Sequence, residues 1–196
     1  MKHNTEPNMM NAAGKTREIS GFFKELASWL LYFLFVIAIT YLIITFVGQR
    51  TKVDGHSMEP ALSDGDNLIV DKISYRFRDP ERFDVIVFPY QHAENTYYIK
   101  RIIGLPGETV QVKDGAVYIN GELLDENYGA EPMNNAGIAA EPITLGEDEY
   151  FVLGDNRNHS SDSREPSVGV LTRSQLIGRA WVRIYPFNKI GVVKHG

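Results

Sequence analysis

The sequence predicts a mainly β protein, with one N-terminal transmembrane helix followed by an all-β domain. Three observations carry this expectation. Leu26 to Val47 holds no charged residue over 22 positions. Beyond it, short runs rich in Val, Ile and Tyr recur between Gly, Pro and Asp. No long amphipathic helix separates those runs, so strands pack on strands rather than alternating with helices. The 196 residues leave room for one domain and a short appendage.

Residues 1–14 are polar and Asn-rich and predict a disordered tail. Thr16 to Glu25 leads into the helix. As a helix, the 22 uncharged residues span about 33 Å, close to the thickness of a bilayer core. Trp29 and Tyr32 lie near one end and Tyr41 nearer the other, as interfacial aromatics do. A cleaved signal peptide would have an apolar region of about 7–15 residues and a small-residue cleavage site. Gly48, Gln49 and Arg50 follow instead, so the segment reads as an uncleaved signal anchor. Four basic residues (Lys2, Lys15, Arg17, Lys24) face three acidic ones before it, and 16 face 22 in the remainder. The positive-inside bias then leaves residues 1–25 as a cytoplasmic tail, 26–47 as the span and 48–196 as the domain on the outer face.

Within that domain, residues 67–73, 84–88, 97–105, 109–112, 116–119, 150–153 and 178–185 read as strands. Asp114-Gly115 and Asn120-Gly121 are turn signals on either side of the strand 116–119. Between Lys113 and Arg157 there is no Lys or Arg, while acidic residues accumulate. Residues 122–149 therefore read as an acidic surface insertion, or alternatively as an acidic lid or partner surface.

Composition excludes much chemistry. Without cysteine there are no disulfides, thiolate metal sites or cysteine nucleophile. A net charge of −5 speaks against nucleic acid as a partner. The five histidines form no zinc-ligand spacing. No G-x-S-x-G elbow, S-x-x-K site or Gly-rich phosphate loop occurs. Asp155 to Asn158 begins like a calcium loop, but Arg157 and His159 stand where oxygen ligands are needed.

Three segments could carry chemistry. In Val53-Asp54-Gly55-His56-Ser57-Met58-Glu59-Pro60-Ala61-Leu62, Ser57 sits on irregular backbone whose N–H could face an oxyanion. On these residues alone, an ordinary turn serine is the better reading. In the strand Tyr97 to Leu105, alternation puts Lys100 on a face with Tyr98 and Ile102, and Arg101 on the other with Ile99 and Ile103. Desolvation there would lower the lysine pKa. Taken alone, a snorkelling edge lysine reads better. Asp155 to Arg164 is ten successive polar residues, a dense hydrogen-bonding loop or simply a solvated one. Asn158-His159-Ser160 also matches a glycosylation sequon, a pattern common by chance.

Together the segments say more. Ser57-Met58-x-Pro60, Gly65-Asp66, Lys100-Arg101-x-Ile103-Gly104-Leu105-Pro106-Gly107 and Gly154-Asp155-Asn156-Arg157 through Ser160-x-Asp162-Ser163-Arg164 follow in this order behind the anchor. The chain thereby closely resembles the type I bacterial signal peptidases over nearly its whole length. The single anchor and the short segment between Gly107 and Gly154 are similar to the compact Gram-positive branch.

The resemblance implies a membrane-bound serine endopeptidase on a mostly β fold. It would cleave N-terminal signal peptides, with small residues before the cut, from exported preproteins on the outer face of the membrane. By motif position Ser57 is the nucleophile and Lys100 the general base. Ser160 matches the serine that orients the lysine. Asp155, Asp162 and Arg164 match buttressing residues, and Arg101 is the implied partner of Asp155. The Ser57 main-chain N–H is one implied oxyanion donor. Gly55 stands where one branch has a serine hydroxyl, so no side-chain donor comes from that place, and Ala61 stands where Thr or Ser is usual. The chemistry needs no metal or organic cofactor, and its partners are preproteins and membrane lipid, with no nucleic acid.

Three rival readings remain. A self-cleaving repressor-type peptidase shares the Ser–Lys logic, but 25 residues before a membrane span are too few for a DNA-binding head. A Ser57–His159–Asp162 triad leaves the Lys100 motif unexplained. A non-catalytic, membrane-anchored β binding module would cleave nothing.

Overall fold

Met9–Leu42 folds as one continuous 34-residue helix (α1), and from Leu26 onward it carries no charge on any side. The computed structural model describes residues 9–42, 48–129 and 131–195. The chain divides after Thr45 into two compact units. Within the helix, Lys24–Leu42 has a mean hydropathy of 1.8, long and apolar enough to cross a membrane. Trp29, Phe33 and Phe35 are exposed along it. The helix begins earlier than expected. Met9, Met10, Ala12 and Ala13 are strong helix formers, so residues 9–14 of the expected disordered tail are helical. Residues 1–8 of that tail and residues 43–47 of the expected span lie outside the described residues.

Among the described residues the second unit has twelve strands: β1 (Gly48–Lys52), β2 (Asn67–Asp71), β3 (Val85–Pro89), β4 (Tyr97–Gly104), β5 (Thr109–Lys113), β6 (Ala116–Ile119), β7 (Glu122–Leu123), β8 (Ile143–Thr144), β9 (Glu149–Leu153), β10 (Leu171–Thr172), β11 (Gly178–Tyr185) and β12 (Gly191–Val192). The larger sheet runs β1-β2-β11-β3-β4-β9-β10, with β12 on β11; the smaller runs β7-β6-β5-β8. Every strand pairing is antiparallel. The seven expected strands all form, within two residues of their expected ends.

The centre of the larger sheet is buried on both faces, which explains why β3 reads as an unbroken apolar run. Val85 and Val87 pack with Met58, Leu62, Leu68 and Val70 on one side. Ile86 and Phe88 pack with Ile102, Tyr150 and Val152 on the other. A third group joins the sheets: Ile103, Phe151 and Leu153 meet Val110, Val112 and Val117 of β5 and β6. Both expected turns form. Asp114-Gly115 joins Lys113 to its partner Ala116, and Asn120-Gly121 joins Ile119 to Glu122. All four residues have positive φ (51°, 76°, 53° and 84°), the requirement of a type I′ turn.

Residues 122–149 are more than a surface insertion. They supply β7 and β8, and they bury Met133, Ala139 and Leu145 in the core that joins the sheets. Trp181, on β11, is half exposed.

The sheets pack tightly at Gly104. A Cβ there would lie 2.5 Å from Val110 Cγ2 and 2.8 Å from Leu145 Cδ1. Overpacking of this kind costs about 1–3 kcal/mol. Gly104→Ala is therefore expected to lower the urea midpoint of the full chain in detergent, with the m-value unchanged. An unaltered midpoint would show that the sheets can separate freely at this point.

Candidate active site

The segment after β1 is irregular but firmly held. Val53, Met58 and Leu62 are buried and root it in the core. Val53 N–H donates to Asp66 O, Gly65 N–H to Val53 O and Leu62 N–H to Met58 O. Gly55 N–H donates to Asp64 Oδ1 at 2.9 Å. The loop after β9 clamps the same segment: Asn156 N–H donates to Ser57 O at 3.0 Å and Asn156 Nδ2 to His56 O at 3.1 Å. Among the described residues, the Ser57 N–H itself has no hydrogen-bond acceptor.

Lys100 reaches Ser57 from the middle of β4. Its Nζ donates to Ser57 Oγ at 2.8 Å and to Ile99 O at 3.1 Å, and it lies 5.0 Å from the Tyr98 ring centroid. Only 3% of Lys100 is exposed. Burial pulls its pKa down to about 8, against the weaker opposing pull of Asp162, Asp155 and Glu165. At pH 7 about one lysine in ten is then neutral, against fewer than one in a thousand for a free side chain.

The neighbouring Arg101 is buried and fully paired. Its Nε and Nη2 donate to the two Asp155 oxygens at 2.8 and 2.7 Å, and Nη1 to Phe83 O at 2.9 Å. Tyr128 covers it, with the guanidinium 3.8 Å from the ring centroid. Burial pushes the Asp155 carboxyl up while Arg101 works against it. Asp162 receives Arg164 Nε at 2.8 Å and Nη2 at 2.9 Å, and also the Gly154 N–H at 3.1 Å. Arg164 Nη2 continues to Arg157 O, and Arg157 forks onto Glu126 at 2.6 Å through both nitrogens.

Thus the structure brings together Ser57 with Lys100, Arg101 with Asp155, and Asp162 with Arg164. Ser160 is placed differently from its expected contact. Its hydroxyl is buried and has no hydrogen-bond partner, so it does not hold Lys100. His159 lines the cleft but does not hydrogen-bond Asp162, whose oxygens go to Arg164 and Gly154. His56 is exposed and pairs with Glu59 at 3.0 Å, which raises its pKa. Asn156, Tyr128 and Glu126 had no expected role. Asn156 lay within the polar run, but nothing in one sequence singles it out.

The cleft in front of Ser57 has a volume of 280 Å³ and is lined by Gly55, His56, Tyr98, Lys100 and Ser161 among others. A larger hollow of 600 Å³ beside Asp125, Glu126 and Glu131 contains no serine, lysine or histidine. Among the described residues, no three acidic or histidine side chains gather as metal ligands.

A serine hydroxyl set against a buried amine, on antiparallel β sheets, defines a class of candidate hydrolases that needs neither a catalytic histidine nor a metal. Comparisons with known proteins make the assignment specific. Residues 26–185 match the family described as signal peptidase, peptidase S26. A probable signal peptidase I-2 of Synechocystis is 46% identical over 154 residues, 76% of this chain and 68% of that protein. Signal peptidase I of Bacillus amyloliquefaciens is 36% identical over 173 residues, 85% and 91% of the two chains. A crystal structure of a signal peptidase I from Enterococcus faecalis V583 aligns with a TM-score of 0.44 at 37% identity, over 52% of this chain and 97% of that one. The chain belongs to the signal peptidase family, and is accordingly a serine endopeptidase.

Burying Lys100 has a measurable cost. Its folded pKa of about 8 lies below the unfolded value of 10.5, so the unfolded chain holds more protons between those two pH values. Stability therefore rises with pH across that window and is lowest, by about 3 kcal/mol, below it. Lys100→Met keeps the volume and removes the charge. Its Tm is expected to exceed that of the unmodified chain at pH 7, with the gap closing toward pH 10.5. A gap that does not change with pH would mean that the lysine is not desolvated.

Proposed function

We propose that this protein cleaves signal peptides from exported preproteins with Ser57 as nucleophile and Lys100 as general base. The observation that carries the reading is the 2.8 Å contact between Ser57 Oγ and the buried Lys100 Nζ. In the neutral state of the amine the hydrogen bond reverses. The hydroxyl then donates its proton to Nζ as Oγ attacks the scissile carbonyl. The unclaimed Ser57 N–H is the oxyanion donor. The lysine ammonium next gives its proton to the departing amine, leaving an ester on Ser57.

Arg101, Asp155, Asp162 and Arg164 act as positioning residues. They fix the 154–164 loop, and through Asn156 that loop fixes the backbone at Ser57. The cleft accepts an extended peptide beside β4, where shallow pockets favour small residues before the cut. A triad with His159 is disfavoured because the Asp162 oxygens are already taken.

The discriminating assay uses one purified preprotein in detergent. Ser57→Ala and Lys100→Arg should show no processing above an uncatalysed control, because guanidinium stays protonated at any working pH. His159→Ala should keep most of its kcat/KM. For the unmodified chain, kcat/KM should fall about tenfold per pH unit below about pH 8 and hold above it, since only neutral lysine accepts the proton. A dead His159→Ala beside an active Lys100→Arg would overturn the dyad.

The same reading places α1 across the membrane, with the N-terminus cytoplasmic and the β unit on the outer face. Protease added to intact protoplasts should digest the β unit and spare the N-terminal tail. Protection of the β unit would reverse the orientation.

A further inference from the structure

The 154–164 loop holds the backbone at Ser57, so whatever holds that loop also bears on the nucleophile. The loop is partly closed on itself. His159 N–H donates to Asn156 O at 3.0 Å, and Arg157 Nε donates to Gly154 O at 3.1 Å. A turn closed only on itself keeps the mobility of a surface loop. We infer that residues 131–138, from the acidic segment, are a strap that sets the position of Ser57 through this turn, with Asn158 as the positioning residue between them; this rests on Ser57 acting as proposed above.

The strap is rooted away from the cleft. Met133 is buried in the core that joins the sheets, and its N–H donates to Gly115 O at 3.0 Å. Ala139, just beyond the strap, is buried in the same core. From there the strap meets the 154–164 loop at two places. The first is Asn158, whose side-chain amide grips the strap backbone with both ends. Its Oδ1 accepts the Asn134 N–H at 2.9 Å, and its Nδ2 donates to Pro132 O at 3.1 Å. Nδ2 also reaches Glu131 Oε2 at 3.3 Å. The second is Arg164, whose carbonyl accepts the Ile138 N–H at 2.9 Å and whose Nη1 donates to Asn135 O at 3.0 Å. Gly137 lets the two segments touch there. Its φ is 55°, and a Cβ would collide with Arg164 O.

Asn158 is well placed to act on the nucleophile. It lies inside the turn from Asn156 to His159, and the Asn156 N–H donates to Ser57 O at 3.0 Å. Asn156 Nδ2 holds His56 O beside it. A shift of the turn therefore shifts the Ser57 backbone, and with it both the Oγ and the N–H offered to the oxyanion. Transition-state contacts are sensitive to such shifts, since a misplacement of about 1 Å can cost about a hundredfold in rate. Among the described residues, neither Asn158 nor residues 131–138 line the front cleft. The hydrogen bonds of Lys100 go to Ser57 and Ile99. Releasing the strap thus disturbs positioning while leaving the cleft walls and the buried lysine in place.

The test uses the full chain in detergent and one purified preprotein, between about pH 6 and 10. Asn158→Ala should lower kcat about tenfold with KM unchanged. The midpoint of the acid limb should stay near pH 8, because Lys100 keeps its surroundings. Asn156→Ala should lower kcat to a similar degree. Asn158 acts through the turn that carries Asn156, so the two losses should not multiply. The double variant should lie within about threefold of the poorer single variant.

An unchanged kcat in Asn158→Ala would overturn the inference. A rise in KM, or a midpoint that moves up as kcat falls, would overturn it too. The β unit as a whole would then have loosened and let water reach Lys100. Losses that multiply in the double variant would mean that Asn158 acts by a route other than the turn, and would reject the strap. Processing by Ser57→Ala would instead strike at the nucleophile, and this inference would fall with it.

Discussion

Arg101 and Asp155 hold each other out of water, and much of the β unit is arranged around them. Each is 1% exposed. Neither charge could be buried alone, since removing one partner of such a pair costs about 3–5 kcal/mol. The guanidinium also reaches Phe83 O ahead of β3 and Lys194 O near the C-terminus, and it lies under the Tyr128 ring. One side chain thus ties β4 to the 154–164 loop, to the turn before β3, to the segment between β7 and β8 and to the end of the chain. The C-terminal segment is held there a second time, because Tyr128 Oη donates to His195 O at 2.7 Å. With Arg101 fixed, its neighbour on the strand is directed to the opposite face, toward Ser57.

The two neighbours contrast in their surroundings. Arg101 has a bidentate carboxylate partner, while Lys100 has a hydroxyl, a carbonyl and an aromatic face. The acidic groups near Lys100 are largely claimed. Asp155 belongs to Arg101 and Asp162 to Arg164. Their residual pull on the ammonium is weaker than the loss of hydration, which is why the pKa falls rather than rises. The arginines therefore do more than hold a loop in place. By neutralising the carboxylates they keep the lysine free to change its charge.

How much of this was legible in the sequence depends on whether the cause is local. The turns at Asp114-Gly115 and Asn120-Gly121 are dictated by residues that tolerate positive φ, and both were readable. So were the long strands, whose β-branched and aromatic residues match a buried sheet. Gly48–Lys52 was not, because Gly-Gln-Arg-Thr-Lys has no apolar alternation, and β2 holds it by pairing along its whole length. The two-residue strands β7, β8, β10 and β12 exist only through their partners. Ser57 and Lys100 lie 43 residues apart, and each taken alone favoured a plain structural reading. Only the ordered set of motifs joined them. The clamp by Asn156 and the roof of Tyr128 depend on loop geometry that no periodicity encodes.

The placement of the two tryptophans has an optical consequence. Trp29 lies on α1 and Trp181 on β11, one in each unit. Replacing either by Phe leaves a single emitter whose spectrum belongs to one unit only. Trp181 is well placed for this use, since its carbonyl accepts the N–H of Val193 and its indole is half exposed. Its emission maximum would follow the docking of the C-terminal segment in real time, while Trp29 would report the polarity of whatever surrounds the helix.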